Sequence, residues 1–327
     1  MLNTAWLFPG QGSQYPQMGR HIWHEALADD VLELAESISG LPLRSVINIG
    51  PESCLRSPEY LEPCIVALQA AHVLLLKKSG LQPDTVAGYS LGEIGALYAA
   101  GSLSLVDALT LASKRGKILA CHSQKGSWST RAVAFEEAPL TLPFDGTSNV
   151  FIAAYNSPCD FSITGESIHI QTVEDVLLKG GATLSPVAVD GPWHSPLSAE
   201  CAKETAELLV SLEIRPPRVP VCLGTTGAFQ MDPAAIRTSL SRQIASPVRW
   251  TDTLETLWTS GVRATLEIGP SRVLTSFLRA NWNQRAYHSQ FLDRQGGRAT
   301  NFAALKALHT SALQTLIDKE KSWTKSA

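Results

Sequence analysis

An α/β fold with a smaller α+β unit inserted into it is what this sequence predicts, on three observations. Short apolar runs that stop at Pro or Gly lead into helical stretches early in the chain; from about Thr130 several strands crowd together around turn signals; and after His194 the earlier alternation of helix and strand returns. The first run, Ala5 to Phe8, is a buried strand halted by Pro9 and Gly10, and the loop beyond it holds Gln11. A second strand, Thr85 to Gly88, runs straight into Ser90 and then a helix, Gly92 to Ala100, which Gly101 caps. Arg131 to Phe135, Val150 to Ala154 and Phe161 to Thr164 follow as strands, with Asn156-Ser157-Pro158 as the turn between the last two. Between Phe135 and Val150, Pro139, Pro143 and Gly146 leave no clear helix. A helix over Ile168 to Leu178 ends at Gly180-Gly181, and a strand over Thr183 to Val189 completes the inserted unit. Then come a helix at Pro196 to Ser211, a Pro-rich connection (Pro216, Pro217, Pro220) and a strand, Arg263 to Ile268, closed by Gly269-Pro270. The last twenty-odd residues read as helical, with a polar tip.

The 327 residues leave ample room for a buried core, and 44% hydrophobic with 17% charged residues describes an ordinary globular chain. A net charge of -3 offers no basic field to a nucleic acid. The six cysteines (Cys54, Cys64, Cys121, Cys159, Cys201, Cys222) show no C-x-x-C pair and no Cys/His spacing of a zinc site, so they are expected to be reduced and mostly buried, with no metal bound. The amino terminus lacks a basic region followed by a long apolar core, and no run of about 18 apolar residues occurs anywhere. A cytoplasmic protein of bacterial type, with no membrane partner, is the resulting expectation.

Gly88-Tyr89-Ser90-Leu91-Gly92 fits the G-x-S-x-G nucleophile elbow, in which small flanking residues let a strand turn sharply into a helix and project the serine hydroxyl. The alternative is a Gly-rich turn with a solvated serine. Placement between a strand and a helix favours the elbow, because the helix start aims backbone N–H groups and a positive dipole end at the serine. A serine hydroxyl needs a base within hydrogen-bond reach. Of eight histidines, His194 stands apart in Gly191-Pro192-Trp193-His194-Ser195-Pro196, a rigid loop between strand and helix. His21, His24, His72, His122, His169, His288 and His309 lack that setting and read as core or surface residues.

Taken with Phe8-Pro9-Gly10-Gln11-Gly12-Ser13-Gln14, Arg115-Gly116-Lys117, Asn156-Ser157-Pro158 and Gln243-Ile244-Ala245-Ser246-Pro247-Val248-Arg249-Trp250, these motifs resemble, in order and spacing, those of the malonyl-CoA:acyl carrier protein transacylase family, polyketide synthase acyltransferases included. The resemblance spans about residues 4 to 290. It implies an α/β-hydrolase-like large subdomain over residues 1–126 and 191–327 and a ferredoxin-like small subdomain over 127–190. It also implies that Ser90 is acylated, that His194 is its base, that a backbone carbonyl near Gln243 replaces the usual carboxylate partner, and that the N–H groups of Gln11 and Leu91 form the oxyanion hole. Arg115, 25 positions after Ser90, falls where the family grips the free carboxylate of a malonyl group; without the motif it would read as a solvated helix cation beside Lys114 and Lys117. Coenzyme A thioester and the phosphopantetheine of an acyl carrier protein then enter as substrates, and no cofactor is needed. Lys117, Lys125 and Arg272 are candidate contacts for an acidic carrier.

The sequence also departs from the pattern. Tyr89 stands where the family usually has histidine, and Trp128 and Thr130, in Gly126-Ser127-Trp128-Ser129-Thr130, replace small residues and a methionine of the acyl pocket. Trp193 matches a position that is bulky in malonyl-selective relatives and small in methylmalonyl-selective ones, and a large ring there crowds an α-branch by about 1 to 3 kcal/mol. A malonyl transferase acting in trans for a polyketide or fatty acid synthase is the favoured reading. A hydrolase that strips acyl groups from carriers, the malonyl-loading subunit of a malonate decarboxylase, and a non-catalytic carrier-docking protein are its competitors. The arginine counts against the first and the intact Ser90, His194, Gln11 and Arg115 against the last.

Overall fold

The computed structural model describes residues 3–138 and 149–293. The strands are β1 (Asn3–Phe8), β2 (Thr85–Gly88), β3 (Trp128–Ala134), β4 (Val150–Ser157), β5 (Asp160–Glu166), β6 (Thr183–Pro186), β7 (Val221–Leu223), β8 (Ala228–Gln230), β9 (Val248–Arg249), β10 (Val262–Glu267) and β11 (His288–Phe291). The helices are α1 (Ala26–Ser39), α2 (Leu43–Asn48), α3 (Pro58–Lys78), α4 (Gly92–Ala99), α5 (Leu105–Ser123), α6 (Ser167–Lys179), α7 (Ala199–Val210), α8 (Pro233–Arg242), α9 (Trp250–Thr259) and α10 (Val273–Asn281).

Strand β1 sits inside a sheet ordered β11-β10-β1-β2-β7-β8, parallel throughout except for β8. Such a sheet is covered on both faces, which explains why β1 is a continuous apolar run rather than an alternating one. Its pleat sends Trp6 and Phe8 into a core built with α1, α3, α4 and α5, and Ala5 and Leu7 into one built with α9 and α10. The result is an α/β fold with a large and a small subdomain.

The second sheet runs β6-β3-β5-β4-β9. Its first four strands pair antiparallel, and α6 covers one face through Ile170, Val173 and Leu177 against Val133, Val150, Phe161 and Ile163. That order is the ferredoxin-like one. The fifth strand, β9, comes from beyond residue 190 and pairs parallel with β4 through Ala154 and Tyr155, so the small sheet borrows an edge from the later chain.

Several local expectations shift. Strand β4 runs on through Asn156 and Ser157, because Asn156 is tied into the strand's surroundings by Tyr89 and Asn281, and the turn falls at Pro158-Cys159. Strand β3 begins early, at Trp128, and β6 stops at Pro186 rather than Val189. The helix expected from Pro196 opens with a 3₁₀ turn, Pro196–Ser198, before α7. Helix α3 is long and apolar enough, by length and composition, to cross a membrane, which the sequence reading did not register; 83% of its apolar window is packed inside the protein. All six cysteines are free, but Cys121 is exposed and Cys54 and Cys159 are half-buried, so burial holds only for Cys64, Cys201 and Cys222. Pro139, Pro143, Gly146, His309 and the carboxy-terminal helix lie outside the described residues.

Candidate active site

Strand β2 ends at Gly88 and α4 begins at Gly92, so the chain reverses direction within the residues around Ser90. Ser90 takes up the turn in the left-handed region, φ 53°. A side chain at Gly92 would put its Cβ 1.9 Å from the carbonyl oxygen of Phe8, so only glycine lets α4 start this close to β1. The elbow is thereby pressed against the Gly10-Gln11 loop, where a Cβ on Gly10 would stand 3.4 Å from the Leu91 nitrogen. Among the described residues, neither the Gln11 nor the Leu91 backbone N–H donates to a backbone carbonyl, and Leu91 opens a helix. One free donor at a helix start and one in the loop after β1 suit a developing oxyanion.

His194, also at positive φ (65°), brings Nε2 to 2.6 Å from Ser90 Oγ. Its backbone N–H is anchored to Ile244 O, and its Nδ1 lies 3.1 Å from both Gln243 O and Ser246 O. Carbonyls only accept, so Nδ1 carries the proton and Nε2 is left to accept from Ser90. Burial, and then the charge of Arg115, pulls the His194 pKa down to about 4, with the two carbonyls working in the other direction. At neutral pH the imidazole is uncharged and ready to take a proton.

Arg115 reaches the same place from α5. Gly116 makes this possible, since a Cβ there would fall 2.5 Å from Pro58 O and hold α5 off the start of α3. Arg115 is 3% exposed and donates through Nη1 to Glu62 Oε1 at 2.8 Å, with Nη2 3.5 Å from Gln243 Oε1. Gln11 Nε2 donates to the same Glu62 oxygen at 2.9 Å. Gln243 in turn donates to Ser90 O (3.1 Å) and to Glu93 Oε2 (2.5 Å), while Glu93 Oε1 accepts from Gly224 N–H. Burial raises the Glu93 pKa to about 7. Glu62 and Glu93 are residues that the sequence reading gave no role. The signal for Glu62 was there: an acid set in the apolar stretch Leu61 to Val66 has to find a partner.

Comparison with known proteins agrees with this geometry. The family model described as "Acyl transferase domain" matches residues 5–309. The malonyl CoA-acyl carrier protein transacylase of Synechocystis sp. is 31% identical over 279 residues, 85% of this chain and 93% of that protein. The chain belongs to the acyltransferase family. The structure of an MCAT from Streptococcus pneumoniae superimposes with a TM-score of 0.83 at 31% identity, covering 94% of this chain and 99% of that one. A malonyl-transacylase solved in complex with its type II polyketide synthase acyl-carrier protein superimposes with a TM-score of 0.82 at 28% identity, covering 90% of this chain and 97% of that one.

In this acyltransferase Ser90, His194, Gln11, Arg115, Thr130 and Trp193 line one cavity. Thr130 enters it from β3, hydrogen-bonded to Thr164 at 2.9 Å, and Trp193 lies against Leu119 and Ile244 at its wall. Trp128 is a correction: it does not line the cavity, because the ring folds back over Gly126 at the start of β3. Tyr89 lines it and donates to Asn156 Oδ1 at 2.8 Å, tying the elbow to β4 in place of the histidine expected there. Among the other histidines, His21 and His72 face each other at 3.2 Å and His122 meets Glu204 at 2.7 Å, away from Ser90. Of the candidate docking cations, Lys125 is paired with Glu200 and Lys117 reaches Ser39 O, which leaves Arg272, at the start of α10, least engaged by the fold. Among the described residues no group of three or more His, Cys, Asp or Glu side chains could hold a metal ion.

Proposed function

We propose that this acyltransferase moves a malonyl-type, carboxylated acyl group from coenzyme A to the phosphopantetheine thiol of an acyl carrier protein through an ester on Ser90. The observation that carries the reading is the 2.6 Å contact between Ser90 Oγ and His194 Nε2 in a cavity that also holds the Arg115 guanidinium. Ser90 Oγ attacks the thioester carbonyl as its proton passes to His194 Nε2. The Gln11 and Leu91 amides receive the oxyanion; in related chemistry the loss of one such donor costs about 2.7 to 4 kcal/mol. Collapse of the intermediate expels the coenzyme A sulfur, which takes the proton from His194. The carrier thiol then gives its proton to Nε2 and attacks the ester carbonyl, and collapse of that intermediate expels Ser90 Oγ, which takes the proton back from His194. The carbonyls of Gln243 and Ser246 stabilise the transient imidazolium by their dipoles alone. In this reading no metal or organic cofactor takes part, and the reaction belongs in the cytoplasm, with coenzyme A thioester and carrier as the partners.

Arg115 supports a carboxylated acyl group, since its planar fork matches a carboxylate bidentately. The Trp193 ring at the cavity wall favours malonyl over α-branched groups. The test is to load the protein from malonyl-CoA, add holo-acyl carrier protein and follow both products: malonyl-carrier supports transfer, whereas free malonate with unmodified carrier supports hydrolysis instead.

A further inference from the structure

The Arg115–Glu62 pair changes what a carboxylated substrate meets. A buried guanidinium left unpaired in the empty site would be costly, and Glu62 removes that cost by balancing its charge before any substrate arrives. An incoming carboxylate therefore makes a second anion on one cation, out of water. Two carboxylates sharing such a site do not both stay ionised. Glu62 is fully buried; its Oε1 accepts from Arg115 and Gln11, while among the described residues its Oε2 has no hydrogen-bond partner.

We propose that Glu62 is a positioning and specificity-determining residue: a carboxylated acyl group binds Arg115 as Glu62 takes one proton from solvent onto Oε2. This rests on the reading that Arg115 receives the acyl carboxylate. Protonated at Oε2, Glu62 still accepts at Oε1 from Arg115 and Gln11, so the guanidinium keeps its orientation while its charge is released to the substrate. A neutral acyl group needs no such proton. Burial already pushes the Glu62 pKa up, with Arg115 and Gln11 pulling it back. The other charged groups in reach are few. Helix α5 contributes Arg115, which also acts on Glu93 of α4 and on His194, while neither of those acts on Glu62; and Glu36 of α1 acts on Cys64.

KM for malonyl-CoA and acetyl-CoA, read from Ser90 loading by intact mass, is compared between wild type and Glu62→Gln from pH 6 to 9. The proposal expects KM for malonyl-CoA in wild type to rise with pH by up to about tenfold per unit above the Glu62 pKa. Acetyl-CoA shows no such rise, and Glu62→Gln flattens the malonyl profile and lowers KM for malonyl-CoA relative to KM for acetyl-CoA. Malonyl loading with parallel profiles in both proteins overturns the proposal while leaving transfer intact; no malonyl ester on wild-type Ser90 at any pH overturns the transfer reading, and this one with it. Calorimetry of malonyl-CoA binding to Ser90→Ala at pH 8, in two buffers of different ionisation enthalpy, is a second readout that does not depend on how Glu62→Gln folds. Uptake approaching one proton, absent with acetyl-CoA, supports the coupling, and no uptake contradicts it.

Discussion

His194 meets Ser90 as a neutral imidazole, and that has a kinetic consequence. With its pKa lowered to about 4, the base form persists far into acid. The sign follows directly: activity needs the unprotonated ring, so Ser90 acylation by acetyl-CoA, a donor without a free carboxylate, should be level from pH 8 to pH 5 and fall only near pH 4, as quenched-flow mass measurements would show. A midpoint near the ordinary histidine value of 6.5 would contradict the burial argument. Replacing His194 by Ala should slow acylation by on the order of 10³-fold or more, since serine and base act as a unit. Arg115→Ala should raise KM for malonyl-CoA far more than for acetyl-CoA. Ser90, His194 and Arg115 were legible in the sequence because each lies in a short motif with its own turn or helix context. Glu62 was legible only as an acid in an apolar stretch that needs a partner; which partner was not, because Arg115 and Gln11 are 53 and 51 positions away and meet it only in the folded chain. Trp128 misled for a simpler reason: nearness in sequence to Thr130 says nothing about where a ring at the start of a strand folds.

The elbow is held by elements rather than by the serine itself. Strand β2 supplies the direction, α4 starts against the Phe8 carbonyl, and Glu93 bolts Gln243 and Gly224 to the first turn of α4. Gly92→Ala drives a methyl into a backbone oxygen and should cost several kcal/mol, seen as loss of soluble protein or a steep fall in denaturation midpoint; a midpoint unchanged from wild type would refute the close approach. Glu93→Gln turns one of two acceptors into a donor facing a donor, and urea unfolding should report a loss of about 1 to 3 kcal/mol. Strands β1 and β2 were readable as apolar runs because they are covered on both faces. Helices α1, α3 and α5 were not singled out. In α3 nearly every face is buried, so the helical stripe that sequence reading depends on is blurred. The Asn156 turn was misplaced because its polar signal answers to the distant partners Tyr89 and Asn281 rather than to local chain reversal.

At the scale of the whole molecule the two sheets are stitched at one seam. Strand β9 pairs with β4, Tyr89 OH donates to Asn156, Asn281 donates to Asn156 O, and Thr251 donates to Tyr155 O. The cavity opens beside this seam, with Thr130 on one side and Ser90 on the other. Stitching of this kind should make the protein unfold in one calorimetric transition, with Tyr89→Phe lowering its midpoint by a few degrees for a loss of about 1 kcal/mol; two resolved transitions would show the sheets to be energetically independent. The inserted arrangement itself was readable from the cluster of short strands after Thr130, but the borrowed strand β9 was not, since its two residues, Val248 and Arg249, carry no strand pattern. The central claim is an acyl group on Ser90, and intact mass spectrometry tests it most directly. After incubation with malonyl-, methylmalonyl- and acetyl-CoA separately, wild type should carry a malonyl-sized adduct that is absent from Ser90→Ala. No adduct from any donor, or one that persists in Ser90→Ala, would contradict it.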